Sequence, residues 1–177
     1  MRRTRLSLFA GLGLAAVIGV ASCVSETTAP TPPPSQSLLG GTLSKVTATL
    51  MLCSPQPYAA TSRTIGKAGG TIPMGPHVLT IPAGALGKNV VITGEVMSSY
   101  TNSVKLSPEG LKFAKGKPAT LTMSYSNCLG KDLPLPKKVA YTTDDLELLK
   151  LLSSLDLAGS DKVSAQLDHF SRYAVAY

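Results

Sequence analysis

The sequence predicts an all-β fold: an antiparallel β-sandwich preceded by a signal peptide and a proline-rich tether. Two observations carry the prediction for the folded part. From Lys45 onward, β-branched and apolar residues alternate with polar ones in short runs. Turn residues break those runs about every eight to twelve positions, which is the pattern of a sandwich or barrel. The composition agrees: 16 Gly and 13 Pro stand against 15% charged residues and 5% aromatics, with no Trp. A helical bundle would need more Lys and Glu on its surface. No repeat period of about 20–50 residues recurs, which excludes a solenoid.

The N-terminus reads as an address. Met1-Arg2-Arg3-Thr4-Arg5 is a cationic head, and residues 6–20 form an uncharged apolar run. That run is shorter than the roughly 20 residues a bilayer span needs and suits the core of a signal peptide. Val20-Ala21-Ser22-Cys23 follows at once, a branched aliphatic and two small residues before a cysteine. It resembles the lipobox of bacterial lipoproteins. There the cysteine Sγ is alkylated by diacylglycerol at the membrane surface, and small side chains before it admit the peptidase. The resemblance implies cleavage after residue 22, with Cys23 as the acylated N-terminus. Palmitate-type chains then contribute about 0.8 kcal/mol per buried CH₂, enough for a stable anchor once two or more are attached. Val24 stands where an Asp would resemble the inner-membrane retention signal. The implied location is therefore the cell envelope, at the outer membrane, facing the periplasm or the cell surface. A secretory signal with an incidental cysteine is the plain alternative.

Residues 23–42 read as the lipidated cysteine and a tether. Ser25 to Ser37 lacks apolar periodicity and holds Pro30, Pro32, Pro33 and Pro34. Such a stretch is extended or disordered, at about 3.1 Å per residue. Its expected role is a spacer that holds the folded part off the bilayer. The folded domain is expected over residues 43–177.

Within that domain residues 46–52 are expected as the first strand. Gly69-Gly70-Thr71-Ile72 turns into a short strand, and Met74-Gly75-Pro76 makes a second turn. Residues 78–81 form a strand stopped by Pro82, which has no N–H to give a ladder. Residues 90–97, 119–125 and 138–142 are further strands. Residues 147–152 hold helix-favouring Leu, Lys and Glu, but the run is too short for an isolated helix and reads as strand. A sandwich of this length can bury its own core.

Three pieces of the domain, taken together, resemble a known module. The first is Gly69-Gly70-Thr71-Ile72 with Leu79-Thr80-Ile81-Pro82-Ala83-Gly84-Ala85-Leu86. The second is Leu106-Ser107-Pro108-Glu109-Gly110-Leu111-Lys112-Phe113 with Lys117-Pro118-Ala119-Thr120-Leu121. The third is His169-Phe170-Ser171-Arg172-Tyr173. Their order and spacing are similar to the ZU-five domain, the β-sandwich of zona occludens and netrin-receptor proteins, from about residue 63 onward. Mechanically, Pro82 and Gly84 suit a tight reversal, and Gly110 suits a positive φ between Pro108 and a strand expected at Leu111. Members of that family are mostly interaction modules, so the resemblance implies protein binding, not an enzyme, and no cofactor.

With Cys23 lipidated, Cys53 and Cys128 remain, an even number in an oxidising compartment. They are read as a disulfide, against two buried free thiols. Their distance in sequence and the presence of only two histidines do not make a metal ligand set. Asp144, Asp145 and Glu147 suit a solvated turn better than a calcium loop without supporting glycine spacing. His77, at a strand start after Pro76, is expected on the surface. No Gly-x-Ser-x-Gly elbow or phosphate-cradling loop is present. The formal charge is +7, and removing three of the 17 basic residues with the leader, against 10 acidic ones, leaves +4. Those cations are scattered without interleaved aromatics, so no nucleic-acid partner is expected.

The last sixteen or so residues are too many for one typical strand, which places a corner near Asp168 to Ser171. Val163, Ala165 and Leu167 then share one face, and Tyr173, Val175 and Tyr177 another. In some ZU-five relatives the same His-Phe-Ser corner cuts itself by an N-to-O acyl shift. That resemblance would make Ser171 the nucleophile, Phe170 the carbonyl donor and His169 the base. The plain alternative is a corner that His169 caps, Phe170 shields and Ser171 completes. The expected function is a lipid-anchored, non-catalytic binding or scaffolding module whose partner is an envelope protein or glycan. Self-processing between Phe170 and Ser171 is the alternative, and a carbohydrate- or calcium-binding sandwich the third.

Overall fold

A computed structural model describes residues 49–177, within the unit Leu43–Tyr177. The expected signal peptide, Cys23 and the expected proline-rich tether lie outside the described residues. Among the described residues eleven strands form two antiparallel sheets, the β-sandwich the alternation calls for. They are β1 (Ala59–Ile65), β2 (Gly70–Met74), β3 (His77–Ile81), β4 (Val90–Val96), β5 (Ser103–Ser107), β6 (Ala119–Ser124), β7 (Lys138–Thr142), β8 (Leu148–Leu151), β9 (Ser154–Leu157), β10 (Lys162–Leu167) and β11 (Arg172–Ala176). One sheet has the order β1-β4-β5-β11-β7-β8 and the other β2-β3-β6-β10-β9.

Alternation along each strand builds the core. Ile72 and Met74 of β2, Leu79 and Ile81 of β3, Leu121 and Met123 of β6, and Val163 and Leu167 of β10 are all buried. They meet Ile92, Val96, Val104, Leu106, Val139, Tyr173 and Val175 of the other sheet in one cluster. At about 25 cal/mol per Å² of apolar area removed from water, this burial is the main favourable term. The two sheets interlock at Gly94, where an added Cβ would strike the Met74 sulfur. Only glycine leaves room there for Met74 to reach across.

The expected strands over 90–97, 119–125, 138–142 and 147–152 correspond to β4, β6, β7 and β8. The expected turns also form: Gly75 (φ 55), Gly84 (φ 74) and Gly110 (φ 71) all take the left-handed conformation. Three expectations change. Residues 49–53 pair only through isolated bridges, Leu50 with Ala176 and Cys53 with Cys128, so the described part of the expected first strand is irregular. Its backbone hydrogen bonds are scattered: Tyr177 N–H to Thr49 O, Met51 N–H to Val175 O, Cys53 N–H to Tyr100 O, and Leu129 N–H to Leu52 O. The first regular strand is β1, an edge strand that buries little beyond Ile65 and therefore has weak alternation. Near Leu111 there is a single bridge, Lys112 to His169, while the strand itself, β5, ends before Pro108.

Candidate functional site

The chain's last two strands define the site. β10 belongs to one sheet and β11 to the other, so residues 168–171 carry the chain across the sandwich at a corner. β9 is shorter than β10, and its register ends at the pair Ala165–Ser154. Beyond that pair the chain at Leu152 is already held by the opposite sheet, its N–H bonded to Val139 O at 2.9 Å. The end of β10 is thus paired on one side by β6, through Gln166–Thr120 and Leu167–Ala119, and by no described strand on the other.

That mismatch opens a groove of about 640 Å³. Thr120, Ser164 and Gln166 face it from the sheet, with Lys150, Leu155 and Asp168 around it. A second hollow of about 330 Å³ lies between the loop at residues 113–118 and the same Gln166 and Asp168. The two hollows therefore meet at the end of β10. Their lining of hydroxyls, one amide, Lys and Asp, with a bare sheet edge, suits an extended polar ligand better than a compact apolar one.

The corner itself is well tied. Phe170 is buried and meets Phe113 edge-on at 5.3 Å. Its N–H donates to Leu111 O at 3.0 Å, and its carbonyl accepts from Gly110 N–H at 2.8 Å. Ser171 O accepts from Leu106 N–H at 2.9 Å. The His169 ring stands edge-on to Tyr141 at 5.1 Å, and Tyr173 Oη donates to His169 O at 2.6 Å. Burial, with the Asp168 carboxylate and the Tyr141 phenol nearby, pushes the Tyr173 phenol up, so it remains a donor. Among the described residues no hydrogen bond joins the His169 ring to the Ser171 hydroxyl, and no residue from 168 to 171 has a positive φ. The three candidate residues are thus adjacent in a hydrogen-bonded corner, with one N–H donor on the Phe170 carbonyl.

Cys53 and Cys128 form a disulfide that closes a 75-residue separation. Asn127, beside Cys128, binds Asn102 and Ser54 O, so a polar cluster surrounds the link. Asp144 pairs with Lys105 at 2.7 Å, which holds its carboxyl below the usual range, and its carbonyl accepts from Arg172. Among the described residues no group of three or more His, Cys, Asp or Glu could hold a metal ion.

His77 corrects the sequence reading. It is fully buried rather than on the surface, because it falls in phase with the inward Leu79 and Ile81. Its Nδ1 accepts from Ser124 N–H at 3.0 Å, and its Nε2 has no partner. Desolvation lowers its pKa to about 4. The signal was present in the alternation His77, Leu79, Ile81. By contrast, nothing in the sequence marked Lys150, Ser164 or Gln166, whose place in the groove depends on where β9 stops.

Compared with known proteins, the chain matches no protein-family model and no curated protein.

Proposed function

We propose that the chain is a lipid-anchored envelope protein, held at the outer membrane through acylated Cys23, whose β-sandwich acts as a non-catalytic binding or scaffolding module. The Val20-Ala21-Ser22-Cys23 motif after the apolar run supports the anchor. The observation that carries the binding reading is the groove where β9 stops short of the end of β10. An extended segment of an envelope protein, or a glycan strand, could hydrogen-bond to that free edge and to Gln166, Ser164 and Thr120.

Crosslinking in intact envelopes tests this. Gln166→Arg puts a bulky cation on an exposed residue shared by both hollows, without touching the core. The expected result is an unchanged melting temperature with a crosslinked neighbour lost. An identical set of crosslinked neighbours from the wild type and the variant would count against the groove.

A second reading is self-processing at the corner, favoured by the Gly110 N–H on the Phe170 carbonyl, which could steady a developing oxyanion. Intact mass spectrometry separates the two. A chain ending at Phe170 would favour self-cleavage, and one ending at Tyr177 the binding module.

A further inference from the structure

The end of the sandwich where the chain enters at Thr49 carries exposed leucines: Leu52 is 55% exposed, Leu129 65%, Leu133 50% and Leu135 39%. Backbone bonds bring the first three together as a patch, and Leu135 follows two residues after Leu133. Leu129 N–H donates to Leu52 O at 2.8 Å, and Leu133 N–H to Gly130 O at 3.1 Å. Tyr177 links the patch to the point of chain entry, with its N–H on Thr49 O at 3.0 Å and its hydroxyl on Leu129 O at 2.8 Å.

Part of the backbone around these leucines is satisfied from within. Leu129 and Leu133 each have their N–H bonded, and their carbonyls accept from Tyr177 Oη and Lys137 Nζ. Pro134 and Pro136 have no N–H to satisfy. Apolar side chains held outward on a backbone that makes few demands on water are what a surface entering lipid requires. Another exposed leucine group, on β8 and β9, lacks this link to the chain entry.

We propose that this leucine-tipped end, from Leu52 through the loop at residues 129–136, docks on the lipid bilayer itself. The inference rests on the lipid-anchor reading above, which puts the bilayer on the near side of residues 24–48. A tether of this kind raises the effective concentration of the membrane at the patch, so weak insertion of a few leucines suffices. The tether then acts as a leash as well as a spacer. Asp132, with an 87% exposed side chain, sits within the loop beside Lys131, which pairs with it at 3.5 Å and with Asp161 at 2.9 Å, so the loop's one cation is already matched. The attachment is therefore apolar, and neutral phosphatidylcholine should serve as well as an anionic lipid.

The absence of Trp from the chain provides the test. Leu133→Trp and, as a control on β8, Leu149→Trp each introduce a single fluorophore at an exposed position. Each full lipidated chain is placed in phosphatidylcholine vesicles with brominated acyl chains. The Leu133→Trp protein should be quenched about twofold or more, since docked apolar faces lie roughly 5–10 Å deep. The Leu149→Trp protein should not. Equal quenching of both, or of neither, overturns the inference. So does a blue shift of Leu133→Trp emission that grows with protein concentration without lipid, which would mean a second copy covers the patch. The same variants carrying Cys23→Ser separate the two readings. Quenching of Leu133→Trp alone at high lipid supports the docking face even if palmitate never labels Cys23, and its absence there while Cys23 is labelled and both acylated variants are quenched equally sinks docking but not the anchor.

Discussion

His77 has the clearest consequence of any single residue. It is buried and neutral, with a pKa lowered by desolvation to about 4 from 6.5. Between those values the unfolded chain binds a proton that the folded chain refuses, so stability is full above about pH 6.5 and falls as pH drops toward 4. The loss is up to about 3 kcal/mol. His77→Asn keeps an acceptor for Ser124 N–H and removes the titration. Thermal unfolding between pH 7.5 and 4.5 should therefore decline less steeply in this variant than in the wild type, whatever its starting stability. Lys137 is a second buried polar residue, with its ammonium on Leu133 O at 2.7 Å and over the rings of Tyr125 and Tyr177 at 5.7 and 5.8 Å. Lys137→Ala removes both cation–π contacts and the bond that holds the loop. A cost of about 2 kcal/mol in denaturant unfolding is expected.

At the level of elements, the irregular segment at residues 49–54 depends on the disulfide. It has few regular ladder bonds of its own and is stapled to the end of β6 through Cys53 and Cys128. A link closing a loop of that length contributes about 4 kcal/mol in the chain-entropy account. The double variant Cys53→Ser, Cys128→Ser should lose a stability of that order. Hydrogen exchange should rise first at residues 49–54, and uniform loss of protection across all strands would contradict the staple. The two sheets make a comparable test at Gly94. Gly94→Ala forces Met74 out of its path across the interlayer and should destabilise by about 1–3 kcal/mol, as overpacking does. If the variant melts like the wild type, the close approach of β2 to β4 is not constraining.

The whole molecule poses a question of place. On the proposed reading, the groove at the β10 corner would face a partner and the end at Thr49 would face the membrane. Growth with labelled palmitate should mark the wild-type protein and leave Cys23→Ser unmarked. Equal labelling of both would remove the anchor from the account. Calcium is a weaker candidate at this scale, since Asp144 is already committed to Lys105. A chelator should leave the melting temperature unchanged.

The sequence by itself determined the fold class, most of the central strands, the turns at Gly75, Gly84 and Gly110, and the corner before the last strand. These follow from the pleat, whose alternation is local and survives in the order of residues. Only the tertiary structure decided that β1 and β9 are strands: β1 buries little beyond Ile65, and β9 alternates with its leucines on the exposed side. Counting the cysteines paired Cys53 with Cys128, and the structure shows that disulfide. The tertiary structure alone decided that Met74 lies over Gly94 and that a groove opens beside Gln166. Each of these depends on register between segments far apart in the chain. Where one strand stops against another leaves no trace in either strand's own residues.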